Sequence, residues 1–205
     1  MIITQATVKD MEGVMALLKA NHVSNMTEED SYVSTLMCCL EQIRCGVTSF
    51  AEPGGQFVSG MAKATAESGL RGKLAKSVMD CGTGLPAVWQ KTTQEELDKQ
   101  LEDLEKYHNT ADGRVQVWFG LRTIFNNTDD LIVKTKELAD KYNVGIHMHV
   151  AEAKSEIDYT NEVYGENTVT HLHNSFANTT IGGSVSSKNL ALAHKLGYTV
   201  ENSDL

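Results

Sequence analysis

Two histidines and a glutamate lie close together in the segment HMHVAE, residues 147–152. If this segment is a strand, His147 and His149 point to the same side, because alternate strand residues share a face. Neutral imidazoles there could coordinate a divalent metal, and Glu152 could hold a proton for a metal-bound water. A pair of hydrogen-bonded core histidines fits the same pattern. The spacing alone leaves both interpretations open.

Other side chains with useful chemistry follow the predicted ends of other strands. In a parallel α/β sheet the functional loops leave the carboxyl ends of the strands, so these side chains are expected near one another. They are Glu52, Asp80, Cys81 and Arg122. We take Arg122 and Glu52 as candidate substrate-binding residues.

The remaining histidines give a weaker signal. His171 and His173 repeat the spacing of the first pair, and we interpret them as a polar strand end. His22, His108 and His194 lie in or beside predicted helices, which indicates surface positions. The sequence contains no nucleophile elbow, no phosphate-binding loop and no dinucleotide-binding glycine pattern.

Composition excludes several classes of partner. The 205 residues carry 18 Lys and Arg against 27 Asp and Glu, a formal net charge of -9, which disfavours nucleic acid and anionic membranes. No apolar stretch approaches the ~18 residues of a membrane span, and the start does not resemble a secretory signal. Four cysteines without metal-site spacing predict reduced, mostly buried thiols. We therefore expect a cytoplasmic protein.

The elements that would position these side chains alternate in type. Short β-branched runs at 46–51, 72–79, 115–121 and 144–150 are separated by longer amphipathic stretches. This alternation is typical of a parallel sheet, and strands that are apolar throughout indicate cover on both faces. We predict an α/β protein with five or more parallel strands, neighbours in chain order. Periodicity does not decide between a barrel and a doubly wound sheet.

Residues at the ends of the predicted helices give more local expectations. Capping boxes are predicted for Thr27 with Asp30 and for Thr93 with Glu96. Thr128 is predicted to begin a further helix. Helix ends are expected at Gly46, Gly69 and Asn143.

The chain resembles the amidohydrolase superfamily, in its branch of metal-dependent deaminases and chlorohydrolases. The resemblance begins at the second-strand segment MTEEDSYVSTLMCCLEQIRCGVTSF, includes HMHVAE and ends near THLH, so it covers about residues 26–173 of a single domain spanning 1–205. It implies parallel β/α repeats that form part of a TIM-like barrel. It also implies hydrolysis of a C–N or C–halogen bond in a small heterocyclic substrate, with zinc or iron as cofactor. By this resemblance His149 binds the metal and Glu152 shuttles protons, and the strand spacing adds His147 as a second candidate ligand.

Parts of the family pattern are missing from the chain. The first-strand H-x-H is not found, His22 being its nearest remnant, and the later histidine and aspartate ligands cannot be placed. The two chain ends resemble a GNAT acetyltransferase, although its acetyl-CoA signature is absent. An acyl-CoA-dependent N-acetyltransferase and a non-catalytic α/β remnant therefore remain alternatives. An incomplete barrel exposes sheet edges, so we expect a homo-oligomer.

Overall fold

The computed structural model describes residues 25–82 and 86–176. They fall into two compact units, one ending at Val150 and the other beginning at Ala151. The strand expected at residues 2–6, the helix expected at 188–196, His22, His194 and both GNAT-like ends lie outside the described residues. That the chain is a single domain stays a prediction.

The first unit alternates helices and strands, as the sequence predicts. Its helices are α1 (Glu28–Arg44), α2 (Val58–Ser68), α3 (Thr93–Tyr107) and α4 (Asp129–Tyr142). Its strands are β1 (Ser49–Gly55), β2 (Arg71–Lys76), β3 (Val115–Val117), β4 (Phe119–Leu121) and β5 (Ile146–Met148). A short 3-10 helix, Ala87–Trp89, precedes α3.

The strands pair in parallel and in chain order, as predicted, but the described strands form two sheets and not one sheet of five or more. They form a three-stranded sheet β1-β2-β3 and a two-stranded sheet β4-β5. The single strand expected at 115–121 is wrong in one respect, because it breaks at Trp118 into β3 and β4. The Trp118 amide donates to the Leu74 carbonyl at 2.8 Å, and Leu121 bridges to Val78. Both halves therefore stay beside β2 and its continuation.

The bounds of β1 also differ from the prediction. It covers Ser49–Gly55, so it continues past residue 51, the predicted strand end, into residues 52–55, whose Pro-Gly-Gly composition is typical of a turn. The register between β1 and β2 shifts between Glu52 and Gly55, and Gly54 has φ 137°. The irregular end packs closely on the next strand, since a Cβ at Gly54 would meet the Ser77 side chain at 2.6 Å. The glycines therefore permit a close approach of strands, a contact that turn composition does not reveal.

Helix ends follow the local signals well. Thr27 and Asp30 form the predicted capping box, and Gly46 follows α1 with φ 78°. Thr128 begins α4, and Gly69 and Asn143 end α2 and α4 in the left-handed conformation. The capping box of α3 is one residue earlier than predicted, formed by Thr92 and Glu95 rather than by Thr93 and Glu96.

The core of the first unit lies between the strands and the helices that cover them. Its largest fully buried side chains include Leu74, Phe119, Leu121 and Leu131. Strands β3 and β4 are almost wholly buried, as strands covered on both faces should be. In β1 exposed and partly buried residues alternate, so the expectation of uniform cover is wrong for that strand.

The second unit is helical over its described residues. Helices α5 (Lys154–Tyr164) and α6 (Thr168–Ser175) are joined by a turn at Gly165, whose φ is 72°. His171 and His173 lie in α6, so their interpretation as a strand end is wrong. His171 is buried, stacks on Tyr164 at 3.9 Å and contacts the Glu166 carboxylate at 3.2 Å. It therefore serves the packing of this unit.

The cysteines correct another expectation. Cys39 is buried, whereas Cys38 and Cys45 are exposed and Cys81 is half-buried, so the thiols are not mostly buried. All four are free. Within the described residues, no helix is long and apolar enough to cross a membrane.

Candidate functional site

Two candidate residues meet at the carboxyl ends of β4 and β5. His147 lies within β5 opposite Gly120 of β4, and His149 follows the last residue of β5. The His149 amide donates to the Arg122 carbonyl at 3.3 Å, and the Arg122 amide donates to the Val78 carbonyl at 3.1 Å. Parallel pairing therefore places Arg122 and His149 side by side at the end of the sheet where functional loops leave it.

Glu52 comes to the same place from β1, although β1 does not pair with β5 in the described sheets. Burial raises the pKa of its carboxyl, while the Gly54 amide, which donates to Glu52 Oε1 at 3.2 Å, and the nearby His149 oppose the rise. Burial lowers the pKa of His147, as does His149, whereas a hydrogen bond with the Glu52 backbone opposes this. These mutual effects are those of three side chains that lie near one another at the carboxyl ends of β1 and β5.

The two imidazoles have one feature in common. The Nδ1 atoms of His147 and His149 are buried and have no hydrogen-bond partner in the structure. A buried polar atom without a partner is costly, and such atoms in a folded protein commonly indicate a ligand, a water or an ion. This argues against the alternative of two core histidines whose ring nitrogens are all hydrogen-bonded to protein groups.

An aromatic and a cationic residue complete the surroundings of His147. The Trp118 ring lies 6.3 Å from the His147 ring, centroid to centroid, and Lys73 Nζ lies 4.4 Å from the centroid of the Trp118 ring. A Cβ at Gly145 would lie 2.6 Å from the Trp118 ring, so this glycine makes room for the indole. The sequence reasoning missed Trp118 and Lys73, because only the strand pairing brings them to the histidines.

The described residues supply only some of the ligands that a catalytic metal ion needs. Imidazole nitrogens are suitable zinc ligands, and two of them are buried and without a partner here. Nevertheless, residues 25–82 and 86–176 contain no group of three His, Cys, Asp or Glu side chains able to hold a metal ion. A catalytic zinc normally keeps three protein ligands, so further ligands would have to come from outside the described residues.

Glu152 belongs to the second unit, where its position is fixed by its neighbours in sequence. Its side chain is exposed, and its amide donates to Glu156 Oε2 at 3.0 Å. Glu156 Oε1 accepts from the amide of Ala151 at 2.9 Å, and Ala151 has φ 53°. The buried Glu156 carboxylate therefore holds the loop that carries Glu152. That Glu152 faces the same cavity as His149 stays a prediction.

Other candidates from the sequence prove to be structural. The Asp80 carboxylate accepts from the hydroxyls of Thr93 and Thr128 at 2.7 and 2.6 Å, so it connects the starts of α3 and α4. Burial raises the pKa of the Cys81 thiol, which keeps it protonated. His108 is a partly buried cap of α3 whose Nδ1 accepts from the Val117 amide at 3.1 Å, which corrects its expected surface position.

Comparison with protein families gives one match that spans almost the whole chain. The model of the amidohydrolase family matches residues 4–202, which includes both chain ends. A 5'-deoxyadenosine deaminase of Methanobrevibacter smithii is 32% identical over 141 residues, or 69% of this chain and 31% of the relative. A 5-methylthioadenosine/S-adenosylhomocysteine deaminase of Pelotomaculum thermopropionicum is 32% identical over 144 residues, or 70% and 31%. The chain spans about a third of the length of these relatives.

Several solved structures have a fold similar to that of this chain, although their sequence identity to it is lower. Atrazine chlorohydrolase from Arthrobacter aurescens, complexed with zinc, has a TM-score of 0.71 at 18% identity, covering 89% of this chain and 44% of that one. An adenosine deaminase from Xanthomonas campestris with bound zinc has a TM-score of 0.68 at 16% identity, covering 95% and 44%. These likenesses confirm the predicted fold class of parallel β/α repeats forming part of a barrel. On the strength of the family match, the chain belongs to the amidohydrolase family.

Proposed function

We propose that this protein takes part in metal-dependent hydrolysis of a C–N bond, as in deamination, or of a C–halogen bond in a small heterocyclic molecule. Its deaminase relatives and its family membership support this class of reaction. The observation that carries the proposal is the pair of buried, partnerless Nδ1 atoms of His147 and His149 at the carboxyl end of β5. Zinc in the similar solved structures makes zinc the first metal to test.

Each candidate residue has a distinct role in this proposal. His149, with His147, contributes ligands to the metal, whose chemistry when bound is to lower the pKa of a water toward neutrality. The Glu152 carboxylate would accept a proton from the attacking water and, in deamination, donate it to the departing amine; a halide would depart as the anion without that proton. The Arg122 guanidinium and the Glu52 carboxyl bind polar edges of the heterocycle and fix its orientation.

The experiment combines metal analysis with an activity assay. The protein is purified without chelator or added metal, its zinc and iron contents are measured, and release of ammonia from 5'-deoxyadenosine and 5-methylthioadenosine is followed. We expect bound metal and turnover in the native protein. His149→Ala should lose both, whereas Glu152→Gln should keep the metal and lose turnover, because it removes only the proton carrier.

A matched control separates the site from general effects of losing a histidine. His173, in α6 of the second unit, is partly exposed, so His173→Ala should keep both metal and turnover. Stoichiometric metal that survives His149→Ala unchanged would refute the role given to His149. A native protein that binds no metal and releases no ammonia would refute the proposed function of the chain as it stands.

A further inference from the structure

Helix α1 presents an unusual apolar surface to solvent. Its side chains Val33, Met37, Leu40 and Ile43 are 49%, 57%, 46% and 44% exposed, and Leu36 beside them is half-buried. We call these five residues the α1 stripe. They follow one another along one side of a helix of 17 residues, so the exposed apolar surface is continuous. Single exposed apolar residues are common, but a continuous exposed stripe indicates an interaction surface.

The other side of α1 already has its partner within the same unit. Ser31 and Cys39 are buried, and Ser31 Oγ donates to the Phe57 carbonyl at 3.2 Å. At Gly60 of α2 the two helices are so close that a Cβ would lie 2.6 Å from the Glu28 carbonyl oxygen. The α1 stripe is therefore not the surface by which α1 packs against α2.

The spacing of the stripe is that of a helix–helix seam. Val33, Leu36, Leu40 and Ile43 are separated by three, four and three residues, the a and d positions of a heptad repeat. An α-helix with this pattern packs its apolar side chains into spaces on a second helix that presents a similar surface. An antiparallel second copy of α1 meets this requirement, because Val33 then faces the other copy's Ile43 and Leu36 faces its Leu40.

The charges of α1 select the same arrangement. The first turn carries three acidic residues, Glu28, Glu29 and Asp30, and the last turn carries Arg44, which also contacts the exposed Glu41 at 3.6 Å. Antiparallel pairing brings the exposed Arg44 of each copy to within about one helical turn of the other copy's Glu29. Parallel pairing would place the two acidic turns side by side, and like charges so close repel each other. The apolar pattern permits both orientations, and the charges select the antiparallel one.

We propose that a second copy of this chain covers the α1 stripe, and that the two α1 helices pair antiparallel about a two-fold axis opposite residue 38. An α-helix of 17 residues is about 26 Å long, so one helix pair covers less than the roughly 800 Å² per partner of a standard stable interface. The dimer is therefore reversible and forms at high protein concentration. This proposal is independent of the hydrolytic function.

Sedimentation velocity over a wide range of concentration tests the interface. The native protein should shift from monomer to dimer as concentration rises, and Leu40→Glu should stay monomeric throughout. The control is Val133→Glu, which adds the same charge at a 39% exposed apolar residue of α4 and should dimerise like the native protein. A native protein that is monomeric at every concentration, or an unchanged dimer in Leu40→Glu, would overturn the proposal.

Cross-linking tests the orientation. In a Cys38→Ser/Cys45→Ser background, the pair Val33→Cys and Ile43→Cys should form a disulfide-linked dimer on mild oxidation. The two positions are about 15 Å apart within one helix, too far for a bridge inside one chain. Val33→Cys alone should stay monomeric, and a dimer from that variant would indicate parallel pairing and refute the proposed geometry.

A third outcome would identify a different occupant. If residues of the same chain outside the described ranges cover the stripe, the native protein stays monomeric. Leu40→Glu then lowers its melting temperature by several degrees, whereas Val133→Glu does not. That result would also overturn the proposal, because it assigns the α1 stripe to the interior of a single chain.

Discussion

At the scale of single residues, Gly120 shows how closely β4 packs against the end of β2. A Cβ at Gly120 would collide with the backbone carbonyl of Lys76, and the neighbouring Ala75 side chain leaves no space on the other side. The Gly120 amide also donates to the buried Gln100 side chain at 2.7 Å. No flexible group is available to move aside, so this position requires glycine for space and not for its backbone angles.

We therefore expect Gly120→Ala to lower the free energy of unfolding by about 3 kcal/mol, the upper end of the range for overpacking. Gly165→Ala is the comparison: its Cβ would meet open space, but its φ of 72° makes a side chain costly by about 1 kcal/mol. Urea denaturation of both variants measures the difference. Equal losses for the two variants would contradict the collision at Gly120.

Asp103 gives a prediction about pH. Its side chain is buried, one oxygen contacts Lys99 Nζ at 3.0 Å, and Oδ2 has no hydrogen-bond partner in the structure. Burial raises the pKa of Asp103, which Lys99 only partly opposes. Because the folded state then binds the proton more tightly than the unfolded state, ionisation destabilises the fold as pH rises through the raised pKa. The full penalty is present above the raised pKa.

Asp103→Asn should accordingly be more stable than the native protein at pH 7, by about 1 kcal/mol. The gain should shrink as pH falls below the unfolded pKa of about 3.9, where the native aspartate is neutral in both states. Glu102→Gln is the control of opposite sign, because Lys99 lowers the pKa of the exposed Glu102. Chemical denaturation from pH 3.5 to 7 measures both. A gain for Asp103→Asn that does not vary with pH would contradict the argument.

At the scale of elements, Asp80 joins two helices that are far apart in sequence. Its carboxylate accepts from the Thr93 hydroxyl and from both the amide and the hydroxyl of Thr128. Thr93 is the first residue of α3, and Thr128 is the N-cap of α4. One side chain at the end of β2 thus fixes where both helices begin.

Removing the Asp80 carboxylate should lower the stability of the fold by more than is usual for a half-buried residue. We expect Asp80→Ala to lower the free energy of unfolding by about 3 kcal/mol, since hydrogen bonds to a charged acceptor contribute about 1.5–3 kcal/mol each and are partly replaced by water. Asp98→Ala, on the exposed face of α3, should change it by less than about 0.5 kcal/mol. Thermal and urea unfolding provide the measurement, and comparable losses in the two variants would contradict the connecting role of Asp80.

What the sequence could and could not predict follows from the range of each interaction. The ends of α1, α2 and α4 were predictable because capping and left-handed glycines depend on residues three or four apart. The break of one strand at Trp118 and the helical setting of His171 were not, because they depend on packing between distant segments. For the same reason the histidine spacing indicated a site, while Trp118 beside His147 became visible only in the fold.

At the scale of the whole molecule, the proposed metal connects the site to global stability. A ligand that binds only the folded state stabilises it in proportion to the logarithm of its concentration, by about 2.7 kcal/mol at 100 times the dissociation constant. His147 lies in β5 and His149 directly follows it, and β5 pairs in parallel with β4. Because both ligands lie in or directly after this paired strand, unfolding of the first unit would destroy the metal site, and metal binding would therefore stabilise the whole unit.

Adding zinc to the metal-free protein should therefore raise its melting temperature, and the rise should grow with zinc concentration. His149→Ala should remove most of this shift, while His173→Ala should keep it, because His173 lies in α6. Calorimetry of the three proteins with and without zinc measures the effect. If zinc stabilises His149→Ala as much as the native protein, the stabilising ion binds elsewhere. If it stabilises none of them, the two imidazoles do not belong to a metal site of this chain, and their buried Nδ1 atoms must find another partner.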